Sequence, residues 1–231
     1  MVVFVTGAMR GLGFSLVKVL AQAGHTVYAG VLDPQKAEDL HALAAQEKAV
    51  HVLALDVREE CQAAQAAADI WHAEGRLDAL INNAGVIGGL GVAADALVIE
   101  DAQQEMDVNL WGAVRCVKHA LPLLREAQAP CIINISSEAA SLSGTPGPPY
   151  AYTLSKAALN MFTRILHGQY AQEGLRVWAV HPGRMTTGMG KPHFTLSPDE
   201  TAAGVLAILE GRQPIDARYQ FINYKGEEMP L

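Results

Sequence analysis

Short runs of apolar, often β-branched residues alternate along the chain with longer stretches in which apolar positions recur at helical spacing. Most of the short runs are continuously hydrophobic, as expected when helices cover both faces of a parallel sheet. The pattern therefore predicts a doubly wound α/β fold with a seven-stranded parallel sheet. The predicted strands are residues 2–6, 26–31, 50–55, 79–82, 131–136, 177–181 and 218–224.

The helical stretches between these strands have recognisable ends. Gly24 and Gly174 directly follow helical patterns, where a left-handed residue commonly ends a helix. Ser197 precedes Pro198 and stands three residues before Glu200, which predicts an N-cap with proline at the first helical position. The predicted helices are residues 15–23, 33–46, 58–73, 101–126, 152–173 and 198–209.

Composition favours one compact domain over residues 1–231. The chain is 50% hydrophobic and 18% charged, and no linker or low-complexity tract divides it. A formal net charge of -7 and the lack of a basic run argue against nucleic acid as a partner. No apolar stretch is long enough for a signal peptide or a membrane-spanning helix, so we expect no membrane partner.

The three cysteines are widely spaced. Cys61, Cys116 and Cys131 form no CxxC motif and have no neighbouring histidine pair. This spacing predicts buried thiols in a reducing cytoplasm and no metal site.

A glycine-rich turn follows the first predicted strand. Residues 6–13 read Thr-Gly-Ala-Met-Arg-Gly-Leu-Gly, and a helical pattern begins directly after them. Glycine at a strand-to-helix turn lets the backbone approach a phosphate, and the helix N-terminus presents free N–H groups. We therefore expect Gly7, Gly11 and Gly13 to hold a pyrophosphate. The spacing differs from the G-x-G-x-x-G fingerprint, so a turn without a ligand is the alternative.

Polar residues at two further strand ends favour the ligand. Asp56 stands at the end of the third predicted strand, and residues 82–85 read Asn-Asn-Ala-Gly at the end of the fourth. In a doubly wound sheet the carboxyl ends of the strands form the ligand crevice. Three successive strand ends therefore point to one binding site.

Tyr152 and Lys156 are four residues apart at the start of a long predicted helix, so their side chains share a face. A tyrosine that exchanges protons near neutral pH needs its pKa lowered by about 3, which corresponds to about 4 kcal/mol. One cation about 4 Å away at an effective dielectric constant of about 20 supplies that much. Lys156 is therefore a sufficient partner, although a surface tyrosine packed over a lysine stem is the alternative.

Two serines and a histidine also stand at predicted strand ends. Ser136 and Ser137 end the fifth strand, where a hydroxyl could polarise a substrate oxygen. They have no nearby histidine base in sequence, which argues against a nucleophilic serine. His181, before Pro182, is expected to be a hydrogen-bonded, partly buried histidine. We expect Trp111 and Trp178, elsewhere in the chain, to lie in the core.

Together these motifs resemble the short-chain dehydrogenase/reductase family from Val2 to about residue 190, and more weakly beyond. The resemblance implies a Rossmann-like fold. It rests on six motifs in the order that the family has them. They are the glycine turn with Thr6, Gly7, Gly11 and Gly13; Asp56; Asn82, Asn83, Ala84 and Gly85; Asn109; Tyr152 with Lys156; and Pro182 and Gly183 with Thr187.

The resemblance implies an NAD(P)-dependent oxidoreductase that moves a hydride between a nicotinamide cofactor and a carbonyl or alcohol substrate. It makes Tyr152 the proton donor or acceptor, and Lys156 the residue that lowers the Tyr152 pKa and holds the nicotinamide ribose. Ser137 would orient the substrate carbonyl, and Asn109 would maintain a water-linked proton path. Ser137 lies 15 residues before Tyr152, slightly more than is usual, and the extra length falls in a loop rich in proline and glycine.

The same resemblance assigns the cofactor contacts. They are Gly7, Met9, Arg10, Gly11, Leu12, Gly13, Leu32, Asp56, Val57, Asn83, Ala84, Gly85, Tyr152, Lys156, Pro182, Gly183 and Thr187. NAD-binding relatives place an acid near the end of the second strand, whereas this chain has Leu32 where some relatives have arginine. Arg10 is free to meet a 2′-phosphate, and Asp33 could bind a ribose hydroxyl instead. The sequence therefore favours NADP(H), with NAD(H) as the alternative.

Two other functions stay open. A dinucleotide-binding sensor or scaffold would keep the fold without catalysis, and an epimerase or dehydratase could use the same tyrosine and lysine. The long helix over residues 152–173 could join two subunits, as in relatives, so we expect a homodimer or homotetramer. Fold alone does not identify the substrate.

Overall fold

The computed structural model describes residues 1–144, 149–186, 194–212 and 214–231. Its seven strands form one parallel sheet in the order β3-β2-β1-β4-β5-β6-β7. The strands are β1 (Val2–Thr6), β2 (Thr26–Val31), β3 (Val50–Ala54), β4 (Ala79–Asn82), β5 (Cys131–Ile135), β6 (Arg176–His181) and β7 (Phe221–Asn223). The predicted α/β fold is confirmed. The seven predicted strands are present, and the last is shorter than expected.

Helices cover both faces of this sheet. They are α1 (Gly11–Gln22), α2 (Glu38–Gln46), α3 (Glu60–Glu74), α4 (Ile99–Met106), α5 (Gly112–Leu124), α6 (Tyr150–Tyr170) and α7 (Pro198–Leu209). Among the helices in the described ranges, none combines the length and the apolar character needed to cross a membrane.

Alternation along the strands divides the core into two layers. Val3 and Val5 of β1 pack with α1, α2 and α7 on one face. Val2 and Phe4 of the same strand pack with α3, α5 and α6 on the other. Each fully buried side chain of this size contributes about 1.5–3 kcal/mol to stability. The continuous apolar runs therefore reflect burial on both faces.

The strand order reverses at β1, which pairs with β2 on one side and β4 on the other. Helices leave the sheet in opposite directions at this point, so a crevice opens at the carboxyl ends of β1 and β4. The glycine turn follows β1, and the Asn-Asn-Ala-Gly sequence ends β4.

The helix ends follow the sequence closely in three places. Gly24 and Gly174 adopt left-handed φ values of 83° and 86°. The Ser197 hydroxyl accepts a hydrogen bond from the Asp199 N–H, and Pro198 is the first residue of α7. These three predictions are confirmed.

Other local predictions are wrong. The single helix expected over residues 101–126 is divided by a π-helical turn at Asp107–Trp111. Trp111 is 51% exposed instead of lying in the core, and Cys61 is an exposed thiol on α3. The helix expected over residues 33–46 is a short 3₁₀ turn, Pro34–Lys36, followed by α2.

Candidate active site

The turn after β1 requires glycine at its bends. Gly7 and Gly11 have left-handed φ values of 65° and 57°. A Cβ atom built on Gly7 would lie 2.7 Å from the Ala84 Cα, and one on Gly13 would lie 2.2 Å from the Gly7 carbonyl oxygen. Neither distance is compatible with a side chain. The turn therefore keeps its backbone open to a ligand that needs close approach.

Hydrogen bonds fix this turn to the end of β4. The buried Thr6 hydroxyl accepts from the N–H groups of Asn83 and Ala84 at 3.1 and 3.0 Å. The Asn83 side-chain amide donates to the carbonyls of Thr6 and Gly7 at 2.9 and 3.1 Å. The two strand ends at the reversal point thus form one rigid unit.

The N-terminus of α1 is suited to an anion. Arg10 is its N-cap residue but makes no side-chain capping bond, and the first turn contains no acidic residue. The first N–H groups of a helix have no intrahelical acceptor and carry a partial positive charge. The Arg10 side chain is exposed and has no hydrogen bond or ion pair with any residue in the described part of the chain.

The other residues assigned to this turn point elsewhere. Leu12 is 7% exposed and packs in the core with α1, and Met9 is partly buried against the same cluster. Leu12 could therefore contact a ligand through its backbone but not through its side chain. The sequence alone did not show which of the two would face the ligand.

Leu32 and Asp33, the two residues after β2 considered as cofactor contacts, differ in exposure and in hydrogen bonding. Leu32 is 63% exposed. The Asp33 carboxylate accepts from the Gln35 N–H at 3.1 Å and pairs with Lys36 at 3.0 Å. The hydrogen bond from Lys36 holds the Asp33 pKa below its usual range. Asp33 therefore already has local partners, which weakens its case as a ribose ligand.

Asp56 also has a partner that the sequence analysis did not identify. Arg58 holds it in a two-point ion pair, with Nε–Oδ1 and Nη2–Oδ2 distances of 2.9 and 2.5 Å. These contacts keep the Asp56 pKa below its usual range. Val57 is buried, and a Cβ built on Gly112 would lie 2.7 Å from its Cγ2. The contact of Asp56 and Val57 with a cofactor stays a prediction.

Asn109 lies in the π-helical turn and is 1% exposed. Its side chain accepts from the Val86 N–H at 2.8 Å and donates to the Val86 carbonyl at 2.9 Å. It also donates to the Ser155 hydroxyl at 3.0 Å. Asn109 therefore connects the loop after β4 to α6. A π-helical turn inside a helix is frequent at functional sites.

Tyr152, Lys156 and Ser137 come together at the carboxyl ends of the central strands. Lys156 is 4% exposed and donates to the Ile135 carbonyl at 2.8 Å. Its Nζ lies 5.7 Å from the centre of the Tyr152 ring. Burial raises the Tyr152 pKa, and a hydrogen bond from Ser137 opposes that rise. The predicted set of side chains is thus assembled in one place.

The predicted lowering of the Tyr152 pKa is wrong. Burial raises the Tyr152 pKa, and Glu105 and Glu138 raise it further, against the hydrogen bond from Ser137. Burial also lowers the Lys156 pKa to about 8. The lysine faces the tyrosine as expected, but both groups are removed from water, and desolvation disfavours the charged form of each.

The structure distinguishes the two serines after β5. The Ser136 hydroxyl donates to the Asn160 side chain at 2.6 Å and is buried. Ser137 faces Tyr152 and caps a 3₁₀ turn, accepting from the Ala139 N–H at 3.2 Å. The resemblance to the family assigns the substrate contact to Ser137. The Ser136 hydroxyl is already bound to Asn160 on α6, whereas Ser137 faces Tyr152.

A polar cluster joins the loops after β5 and β6. His181 accepts through Nδ1 from the Glu138 N–H at 3.1 Å, and burial lowers its pKa. This matches the expected hydrogen-bonded, partly buried histidine. Arg184 pairs with Glu138 through two contacts of 2.8 and 3.1 Å. Glu138 and Arg184 therefore hold Ser137 close to the turn after β6.

The Pro182-Gly183 turn is fixed by α7 and the C-terminal segment. Thr201 donates to the Pro182 carbonyl at 2.7 Å. Gly183 has a φ of 82°, and a Cβ on it would lie 2.4 Å from Leu196. Thr187, the remaining predicted residue of this motif, lies outside the described residues.

Glu105 was missed by the sequence analysis. It is a 7% exposed carboxylate on α4 that influences both Lys156 and Tyr152 electrostatically. The available signal was its spacing, since Glu105 and Asn109 are four residues apart in a helical stretch and share one face.

These features agree with comparisons to known proteins. The family model described as short chain dehydrogenase matches residues 1–196, and the chain belongs to this family of oxidoreductases. The C-signal protein of Myxococcus xanthus is 36% identical over 157 residues, which are 68% of this chain and 93% of that protein. The short chain dehydrogenase pigC of Monascus ruber is 34% identical over 98% of this chain and 80% of its own.

A solved structure shares the whole fold. The NADPH-bound carbonyl reductase from chicken fatty liver superposes with a TM-score of 0.89 at 30% identity, covering 99% of this chain and 98% of that one. The likeness therefore covers nearly the whole chain.

Proposed function

We propose that this chain transfers a hydride between a nicotinamide dinucleotide and a small carbonyl or alcohol substrate, with Tyr152 as the proton donor or acceptor. The observation that carries the proposal is the position of Tyr152, which lies close to the Ser137 hydroxyl and faces a buried Lys156. This group stands at the carboxyl ends of the sheet, next to a glycine turn that excludes side chains.

Tyr152 suits the reduction of a carbonyl. Its raised pKa keeps the phenol protonated at neutral pH, and the phenol is the form that donates to a carbonyl oxygen. The Ser137 hydroxyl would donate a second hydrogen bond to the same oxygen and orient it. When bound, the nicotinamide supplies or accepts the hydride.

Lys156 and Asn109 support Tyr152. An ammonium has three N–H donors, and only one is used by the Ile135 carbonyl among the described residues. The other two are available to donate to a ribose hydroxyl and to return a proton to the Tyr152 phenolate. Asn109 fixes the backbone of Val86 and the start of α6, and through them the position of Lys156.

The residues at the crevice fit a dinucleotide. The turn of Gly7, Gly11 and Gly13 with the N-terminus of α1 would hold the pyrophosphate. Arg10, exposed and without a described partner, would meet a 2′-phosphate, which favours NADP(H) over NAD(H). The remaining proposed contacts are Met9, Leu12, Leu32, Asp56, Val57, Asn83, Ala84, Gly85, Pro182, Gly183 and Thr187.

A carbonyl panel tests the proposal. The chain, with NADPH and a set of aliphatic and aromatic ketones and aldehydes, should consume NADPH and form an equal amount of alcohol. The loss of the reduced nicotinamide's absorbance and the alcohol formed are measured together. Tight NADPH binding without alcohol from any member of the panel would contradict the function, and alcohol formation without cofactor consumption would point to a different reaction.

An apolar face on α6 supports a homodimer or homotetramer. Leu154, Met161 and Ile165 repeat at helical spacing and are 61%, 61% and 56% exposed. Exposed apolar stripes of this kind usually mark a protein contact.

Analytical sedimentation of the parent chain should give a dimer or tetramer, and Met161→Arg should shift the sedimenting species towards monomer. Leu142→Arg, at an exposed leucine outside α6, is the control; a monomeric parent chain would contradict the assembly.

A non-catalytic role is the second candidate. The relative from Myxococcus xanthus is named for a signal and not for an enzyme. A sensor or scaffold would bind the dinucleotide but has no need for Ser137 and Lys156 next to Tyr152.

The three free thiols support a cytoplasmic location.

A further inference from the structure

Glu105 is a buried acid with one unused oxygen. It lies on α4 and is 7% exposed. Its Oε2 accepts from the Gly88 N–H at 3.3 Å, which is a long hydrogen bond. Its Oε1 is enclosed and has no hydrogen-bond partner within the described ranges. A buried carboxylate left in this state is costly, so an unused acceptor here needs an explanation.

Lys156, in contrast, has hydrogen-bond donors without acceptors. It is almost fully buried, and its only acceptor among the described residues is the Ile135 carbonyl. Two ammonium N–H groups are therefore left over. The charges of Glu105 and Lys156 act on each other. No ion pair within 4.0 Å joins them in the described part of the chain, so a proton that passes between them needs a bridging water or a movement of one side chain.

Glycines border the space between the two groups. A Cβ built on Gly85 would lie 3.6 Å from Lys156 Nζ and 3.3 Å from Asn109 Oδ1. A Cβ built on Gly88 would lie 3.5 Å from Glu105 Oε2. The loop after β4 therefore presents backbone without side chains to both the ammonium and the carboxylate.

The same glutamate also lines a cleft. Glu105 lines a cleft of about 420 Å³ together with Asp101, Gln104, Val108 and Ala151. Ala151 immediately precedes Tyr152 in α6, which places the cleft beside the site. Glu105 thus has the buried lysine on one side and the cleft on the other.

We propose that Glu105 carries the proton between Lys156 and the water of this cleft. This inference rests on the proposed function. In carbonyl reduction the Tyr152 O–H bond breaks as its proton moves to the substrate oxygen, and a Lys156 N–H bond then breaks to restore the phenol. The Glu105 carboxylate takes up a proton from the solvent of the cleft and passes it to the neutral amine, which restores both the carboxylate and the ammonium. One proton enters per carbonyl reduced, and alcohol oxidation reverses the path.

Glu105 acts through Lys156 and is therefore a positioning residue. The titratable groups that face it from α6 are Lys156 and Tyr152. Arg58 and Tyr150 stand across the cleft, and Asp101 lies one turn earlier on α4. Glu138 acts on Tyr152 from the loop after β5.

The first test is a titration of the Lys156 ammonium by NMR in the chain without cofactor. Glu105→Gln keeps the side-chain shape but removes the charge that favours the ammonium. The Lys156 pKa should then fall below its value of about 8, by about 1. Asp101→Asn, an acid of the same helix and cleft, should leave it unchanged. Equal values in all three chains would overturn the coupling.

The second test is chemical rescue of Glu105→Ala, which opens space for a small acid. Turnover should fall by about tenfold and recover with formate, since a proton carrier contributes at least that much. Asp101→Ala should show neither effect. A loss that formate does not relieve would overturn proton transfer through Glu105. Absence of turnover in every chain would contradict the proposed function instead, and the titration would still decide the Glu105 coupling.

Discussion

Tyr152→Phe is expected to lower kcat by about 10²- to 10⁴-fold, because the variant keeps the ring but loses the proton that the carbonyl oxygen receives. NADPH affinity should change little, since the glycine turn and Arg10 are unaffected. Steady-state reduction of the best ketone of the panel and a fluorescence titration with NADPH measure the two quantities separately.

Tyr150→Phe is the matched control for this variant. Tyr150 begins the same helix two residues earlier and lines the neighbouring cleft, but its side chain is 37% exposed. Its hydroxyl should not matter for turnover. A Tyr152→Phe chain within tenfold of the parent would refute the proton role.

Arg10→Ala is expected to weaken NADPH binding by about ten- to a hundredfold, the range for losing a hydrogen-bonded ion pair with a phosphate. NADH binding should change by less than about twofold, because NADH has no 2′-phosphate for the guanidinium to meet. Fluorescence titrations of both cofactors with the parent and the variant measure the difference.

The control for the arginine is Arg125→Ala, which removes an exposed guanidinium paired with Glu173 at the far end of α5. It should leave both affinities unchanged. Equal losses of NADPH and NADH in Arg10→Ala would show that Arg10 acts on the turn itself, and would remove the reason to favour NADP(H).

The strands of the sheet could be predicted because each is specified by the residues within its own short segment. Strands buried on both faces need continuous apolar runs, and β1, β2 and β4 fall on the predicted bounds. Gly24, Gly174 and Ser197 adopt the conformations expected of them, since helix ends depend on a few neighbouring residues.

Features that depend on tertiary contacts could not be predicted. The π-helical turn at Asp107–Trp111 interrupts an unbroken helical pattern, and it exposes Trp111. Asp56 and Arg58 are two residues apart in sequence, but their pairing follows from the conformation of the loop after β3.

The site shows the same division. Spacing placed Tyr152 and Lys156 on one helical face, and the structure brings Ser137 to them. Spacing did not reveal that Lys156 is buried and Tyr152 partly buried, so the predicted direction of the Tyr152 pKa shift was wrong. The spacing of Glu105 from Asn109 was visible in the sequence, but its burial beside Lys156 followed only from the packing of α4 against α6.

Transfer of a labelled hydride tests the central claim most directly. NADPH that carries deuterium at the transferable position of its nicotinamide is incubated with the chain and a ketone, and the alcohol is analysed by mass spectrometry. Deuterium on the carbinol carbon is the predicted result, with the amount of labelled alcohol formed per unit time about 10²- to 10⁴-fold lower when Tyr152 is replaced by phenylalanine. An alcohol without deuterium, or labelled alcohol formed equally fast by the phenylalanine variant, would contradict it.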